Sequence, residues 1–406
     1  MALPGPPPAV TPDFSLEQKY LDAAPAGIDA RYAWTRLGGD GASVQIVDIE
    51  RAWRFTHEDL RGAGGVLGGF PVDCLRERNH GAAVLGILRG DANAFGVKGI
   101  CPGATVRGYS TRTQFMPITQ IPGTADTSAA IVAAADLLTN DGADRHTGHI
   151  LLLELHRQGP GGLYIAIEWW PDDLAAIQHA VSLDLVVVEA AGNGDRVATG
   201  ADLDSAVYDN PWPDFEFDPL TWKNPFRRSV VDSGAIVVGA SVPPIGTVRV
   251  DRSRLAYSNY GSRVDVQGWG DEVISTGYGT RQGGTNEDRW YVQQFGATSG
   301  ASAMVAGAVA CIQGVRRQQG RTPLTSTGAR ALLVATGSAQ KDDLPWWPKS
   351  QSIGPRPNLR AMLQPPPIRQ GRQRQRRRRG KQRPPRVHVR RAGPDPKRRR
   401  RRRARR

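Results

Sequence analysis

Four residues of this 406-residue chain stand where nucleophilic chemistry at a carbonyl would need them. Asp48 closes the apolar run SVQIVDIE. A carboxylate at the C-terminal end of a parallel strand lies where open α/β sheets bind ligands, although a lone one is more often an ordinary strand-end acid. His80 stands in NHGAAVLG, at the start of an amphipathic helix whose glycine and alanines allow close backbone approach. On its own it reads as a surface histidine. Asn193 follows another buried run, in VVVEAAGNGD, between two glycines. Asn tolerates turn geometry, and its amide can also donate to a developing oxyanion. Ser299 opens the small-residue helix FGATSGASAMVAGAVACIQG. Such a serine is usually a helix cap, but the helix N-terminus also favours negative charge beside it, as a nucleophile requires. Each signal is weak alone. Their order is not: acid, base, amide and hydroxyl each sit at a strand end or a helix start.

The elements that must position them follow from the pattern. Apolar β-type runs at Ser43–Val47, Thr105–Tyr109, His149–Leu155, Leu185–Ala190, Gly234–Ala240 and Arg263–Val266 alternate with helical patterns. The helices are expected at Asn79–Leu88, Ala125–Leu138, Asp172–Leu183, Ser299–Arg317 and Ser326–Thr336. Continuous apolar strands alternating with helices indicate an α/β fold, a mostly parallel sheet covered on both faces. The domain reading is an irregular, Pro-rich N-terminal arm over residues 1–25, one α/β domain over 26–364, and an Arg-rich tail over 365–406.

Charge separates the last two. From Arg369 to Arg406 there are 21 Lys and Arg against one acid, Asp395, whereas the rest of the chain carries 32 basic and 38 acidic residues. The net charge of +14 therefore describes a mildly acidic body with a strongly basic tail, and excludes reading the whole chain as a basic nucleic-acid binder. The tail has almost no apolar residues and should be disordered. It could neutralise phosphates without sequence preference, or be a bland extension. No run of 18 apolar residues predicts a transmembrane helix, and the N-terminus lacks the charged and apolar regions of a secretory signal. Three cysteines, Cys74, Cys101 and Cys311, cannot all pair within the chain. Cys74 and Cys101 could form a disulfide only if their Cα atoms approach closely, and Cys311 reads as a buried free thiol. No Cys/His ladder supports zinc.

The Asp, His, Ser order is that of subtilisin and differs from the chymotrypsin and α/β-hydrolase orders. Over residues 26–364 the chain resembles the subtilisin-like serine peptidases (subtilases, peptidase family S8). IVDIERAWRFTHEDL is similar to the family's strand acid with its downstream His-x-Asp-Leu. NHGAAVLGIL resembles its His-Gly-Thr-x-Val-Ala-Gly block, GVKGICPGATV the strand before the substrate region, and SNYGSRVDVQGWG its Ser-Asn-x-Gly segment. ATSGASAMVAGA resembles Gly-Thr-Ser-x-Ala-Ser-Pro-x-Val-Ala-Gly, in which the serine after threonine, here Ser299, is the nucleophile.

The resemblance implies a three-layer fold with about seven mostly parallel strands. It also implies a serine endopeptidase working through an Asp48, His80 and Ser299 triad and an acyl-enzyme, with Asn193 in the oxyanion hole. It implies a peptide substrate paired as an added strand beside Glu154, Leu155 and Gly192. Glu154 could face the cleft and prefer a basic side chain, or be a strand-end acid bonded within the protein. Trp169 and Trp170 could line a subsite or be structural. No cofactor is needed for the chemistry. Calcium often stabilises the family, but Asp202, Asp204, Asp209 and Asp214 match no ligand loop. The resemblance implies secretion, for which the chain start gives no signal.

The departures are Ile49-Glu50 after Asp48, Ala82 after His80-Gly81, Ala297 before Thr298-Ser299, and Ala303 after Ser302. Glu50 is the consequential one, since a second carboxylate near Asp48 would raise its pKa or that of His80. A catalytically impaired peptide-binding relative is the alternative reading, as is a peptidase with a polyanion-binding tail. His57 reads as orienting the THEDL turn. His156 and His179 lack the helix-start setting of His80.

Overall fold

The computed structural model describes residues 10–112, 126–139, 147–210, 217 and 221–364. The Arg-rich tail (365–406), Asp214 and the expected helix start at Ala125 lie outside the described residues. The strands are β1 (Gln45–Glu50), β2 (Val66–Gly68), β3 (Thr105–Ser110), β4 (Ile150–Leu153), β5 (His156–Gln158), β6 (Tyr164–Ala166), β7 (Val186–Ala190), β8 (Ile236–Ser241), β9 (Val266–Trp269), β10 (Val273–Thr276) and β11 (Tyr291–Phe295). The helices are α1 (Ala30–Ala33), α2 (Leu75–Arg89), α3 (Thr127–Thr139), α4 (Pro171–Ser182), α5 (Ala297–Gln318), α6 (Ser326–Thr336) and α7 (Leu359–Leu363).

Seven strands form one sheet in the order β2-β3-β1-β4-β7-β8-β9, every pairing parallel. Its inner strands are apolar on both faces because helices cover both. On one face Ile46, Ile150, Leu152, Val186 and Val188 pack with residues of α2 and α5. On the other, Val47, Ile49, Leu151, Leu153 and Val187 pack with α3 and α4. Because strand side chains alternate, Asp48 and Glu50 share the face of Ile46. They point into the layer that holds α2 and α5. The same alternation carries Glu154, two residues past Leu152, to that face.

Helix α5 crosses this layer. By length and composition it is apolar enough to span a bilayer, which the count of unbroken apolar runs missed, but its whole apolar window is buried inside the fold. It is the central core helix. Helix and sheet lie close together, as at Gly268 of β9, where a Cβ would come 2.7 Å from the Cα of Ala301.

Several boundaries move. Helix α2 begins at Leu75, four residues before the expected start, because its polar first turn (LRER) hides it in an apolar pattern. Strand β9 begins at Val266 rather than Arg263. Arg263 is instead fully buried, paired with Glu168 at 2.5 Å and Asp265 at 2.8 Å. The short β2 and the antiparallel pairs β5/β6 and β10/β11 carry too little pattern to be read from sequence. The N-terminal stretch is irregular but packs onto the body, with Phe14, Tyr20 and Leu21 buried. All three cysteines are free. Cys101 donates to the Leu88 carbonyl at 3.2 Å and Cys311 to that of Ile100 at 3.3 Å.

Candidate active site

The open end of the sheet gathers side chains from four elements. His80 lies in the second turn of α2, not at its start, and projects across the C-terminal end of β1. Ser299 is the third residue of α5 and is 6% exposed. Its Oγ lies 3.1 Å from His80 Nε2. On the other side of the ring, His80 Nδ1 lies 2.6 Å from Glu50 Oε1. A carboxylate only accepts, so Nδ1 carries the hydrogen and Nε2 is left to accept from the serine hydroxyl.

The acid at the imidazole is therefore Glu50, whereas the sequence reading gave that place to Asp48. The reason is local. Both residues face the same layer, but Asp48 sits one pleat deeper. Trp53 folds back over it and donates Nε1–H to Asp48 Oδ2 at 2.7 Å. The indole is seated on two glycines, since a Cβ at either Gly81 or Gly108 would come within 2.6 Å of its ring. Trp53 thus engages Asp48, while His80 bonds to Glu50. Glu50, nearer the strand end and one methylene longer, reaches the ring.

Electrostatics follow the same geometry. Burial pushes the Asp48 carboxyl well above the usual carboxylate range, the Glu50 charge adds to this, and the Trp53 hydrogen bond opposes it. Burial alone would lower the His80 pKa, but the charge and hydrogen bond of Glu50 more than offset it, and the net direction is upward. The second-carboxylate effect expected for Glu50 thus acts on both neighbours.

Asn193 follows β7 and is 9% exposed. Its Oδ1 accepts from the Thr298 backbone N–H at 3.0 Å and from Thr298 Oγ1 at 2.8 Å. Those bonds fix the amide so that its NH2 faces the cleft beside Ser299. Nδ2 also lies 3.5 Å from Nδ1 of His156, a residue that sequence reading set aside. Burial, then the Arg196 charge, lower the His156 pKa to about 4, so the ring is neutral and can accept. The signal that could have found it is its position two residues beyond Glu154. Asn259 ties the same loop together, donating to Ala191 O at 2.6 Å and to Tyr164 O at 2.9 Å.

The cleft has a volume of about 730 Å³ and is lined by His80, Asn193 and Ser299 together with Leu155, His156 and Phe295. Of the expected substrate-binding residues, Glu154 and Leu155 line it. Gly192 is buried with its carbonyl taken by the Asn259 N–H at 3.2 Å, so it shapes the wall and presents no group. Glu154 is only 6% exposed and turns inward, where Ser302 Oγ donates to its Oε1 at 3.4 Å. Trp169 and Trp170 are buried in a separate cluster with Trp222, away from the cleft.

Among the described residues, Glu50, His80 and Glu154 bring ligand-type atoms within 4.8 Å of one another. The 2.6 Å bond between His80 and Glu50 makes this a hydrogen-bonded cluster, and its imidazole suits calcium poorly. Of the other acids considered for calcium, the three described are engaged elsewhere. Asp209 pairs with Arg227 and Asn224, Asp204 accepts from Ser262, and Asp202 accepts from the Asp204 N–H. His57 is buried and accepts from the Asp59 N–H while donating to Trp290 O, which holds the THEDL turn.

The comparisons with known proteins agree with this architecture. A thermophilic serine proteinase from Bacillus sp. (strain AK1) is 28% identical over 319 residues, covering 75% of this chain. This chain spans about 60% of that relative's length. Among solved structures, a protease from Pseudoalteromonas arctica PAMC 21717 superposes with a TM-score of 0.57 at 18% identity, covering 87% of this chain and 99% of that one. The patellamide maturation protease PatA gives 0.51 at 16% identity, covering 79% and 96%. These two likenesses concern the fold. The model of peptidase family S8, the subtilase family, matches residues 73–354, and the chain belongs to that family.

Proposed function

We propose that the chain is a serine endopeptidase whose triad is Glu50, His80 and Ser299, with Asn193 and the Ser299 backbone N–H forming the oxyanion hole. The observation that carries this reading is the unbroken line from Ser299 Oγ through His80 to Glu50, opening on a cleft. Ser299 attacks the carbonyl carbon of an extended peptide while His80 Nε2 takes its proton. Glu50 holds the imidazole in the tautomer that can accept and stabilises the imidazolium that forms. The oxyanion is met by the Asn193 amide, already fixed by Thr298 and so needing no reorganisation. His80 then protonates the leaving amine, an acyl-enzyme remains on Ser299, and water hydrolyses it by the reverse path. No step calls for a metal or organic cofactor.

The test is labelling of purified protein with a fluorophosphonate probe, mapped by mass spectrometry. Label on Ser299 that disappears in Ser299→Ala is the expected result. Well-folded protein that takes no label but still binds peptides would instead support the catalytically impaired alternative.

A further inference from the structure

Glu154 is a buried acid for which the triad chemistry has no use, and its surroundings are unusual. Strands β1 and β4 pair in the register Asp48 to Leu152 and Ile49 to Leu153. Continued by one step, that register sets Glu50 beside Glu154. Both side chains face the α2/α5 layer, and Asp48 shares it. Glu50 has His80 as its ion partner; among the described residues no Lys or Arg pairs with Asp48, Glu50 or Glu154. Glu154 Oε2 is buried and faces no hydrogen-bond donor among the described residues. A carboxylate left so is costly, and two buried carboxylates side by side are costlier. A proton on Glu154 removes both problems, because it converts an orphan acceptor into a donor within reach of Glu50.

We propose that Glu154 is a positioning residue that stays protonated at neutral pH and donates its O–H to Glu50. This rests on the triad reading given above. The O–H···O bond would fix the carboxylate of Glu50, which has one more rotatable bond than an aspartate in the same role. A neutral Glu154 also removes one negative charge from the cluster it forms with Glu50 and His80. The groups around it support this state. Asp48 and Glu50 approach from β1, His80 from α2, Ser302 from α5, and Tyr278 from the loop after β10, while Arg76 and Glu77 lie at the cleft rim. Burial pushes the Glu154 carboxyl well above its usual range, with the charges of Asp48 and Glu50 adding and the Ser302 hydroxyl opposing.

Two measurements test it. In full-length protein carrying Ser299→Ala and 13C-labelled glutamate carboxyls, one glutamate should show the neutral-acid chemical shift at pH 7 and vanish in Glu154→Gln. If every glutamate is ionised at pH 7, the proposal fails. In the active protein, Glu154→Gln preserves a neutral donor and Glu154→Leu removes it. The Gln variant should label with fluorophosphonate within about threefold of the parent rate, and the acid limb of its pH–rate profile should stay within about 0.3 pH units. The Leu variant should slow at least about tenfold. A Gln variant whose acid limb drops, or a Leu variant that labels at the parent rate, would overturn the idea. If the parent takes no label, the triad reading fails, while the carboxyl spectrum still decides the proton on Glu154.

Discussion

His57 and His80 are both largely enclosed histidines beside acidic residues, yet the structure prepares them for opposite tasks. His57 meets backbone on both sides: it accepts from the Asp59 N–H at 3.1 Å and donates to the Trp290 carbonyl at 2.8 Å. The Asp59 N–H can donate only to a neutral ring, and burial lowers the His57 pKa to about 4 although the Trp290 carbonyl favours the charged one. His80 meets a carboxylate on one nitrogen and a hydroxyl on the other, and its pKa moves up. What faces the two nitrogens, rather than burial itself, separates a bracing histidine from a base. A proton-accepting histidine needs a side that welcomes the charge it will gain.

The sharpest way to break this contrast is to change the acid. Glu50→Gln keeps the size of the side chain but removes the charge and permits the wrong tautomer. It should lower kcat/KM by roughly 10³–10⁴, as loss of the acid does in other triads. Asp48→Asn, whose carboxyl bonds to Trp53 and not to the imidazole, should cost less than about tenfold. Steady-state kinetics on a fluorogenic peptide read both. The reverse ranking would return the triad acid to Asp48.

That ranking also marks what the sequence could and could not tell. The family and the parallel sheet were legible, and the structure brings His80, Asn193 and Ser299 together as sequence reading expected, although His80 lies in the second turn of its helix and not at its start. The choice between Asp48 and Glu50 was not legible, because residues two apart on a strand face the same way. It is decided by Trp53, five residues on, and by glycines at 81 and 108 that let the indole fold inward. Glu154 was read as facing the cleft or as a strand-end acid bonded within the protein. Its place beside Glu50 depends on a register between β1 and β4, strands that lie about 100 residues apart in sequence. Arg263 was lost into an apolar run because only the fold shows that Glu168 and Asp265 neutralise it.

A smaller effect sharpens the His57 side. Its folded pKa lies below the ordinary value, so the unfolded chain binds the proton more readily. Its contribution to stability is then present above about pH 6.5 and is lost as pH falls toward 4, by roughly 3 kcal/mol if the shift is realised in full. The raised pKa of His80 has the opposite sign, its contribution being lost as pH rises. Asp59, pushed up to about 8 by burial, also opposes His57 over this range. The useful readout is therefore a difference: urea unfolding of Ser299→Ala protein at pH 7 and pH 4.5, with and without His57→Asn. The variant should be less stable at pH 7 and lose less on acidification. An unchanged acid loss would mean that His57 takes up no proton on unfolding.

The smallest effect concerns the backbone that presents the nucleophile. Ala297 has φ of 56°, in the left-handed region, immediately before Thr298 and Ser299. The subtilase pattern has glycine at this position, and alanine there carries a strain of about 1 kcal/mol. The Ala297 N–H still donates to the Gly270 carbonyl at 2.8 Å, so the turn is held in place. Ala297→Gly should relieve the strain while freeing the unfolded chain, for a net gain of up to about 1 kcal/mol, measured as a rise in the urea midpoint at constant m-value. Labelling of Ser299 should change less than about twofold, since the bonds fixing Asn193 come from Thr298 and not from residue 297. A large gain in labelling would instead show that the alanine distorts the nucleophile, and that the weakness of this site lies in the turn before Ser299 rather than in the acid behind His80.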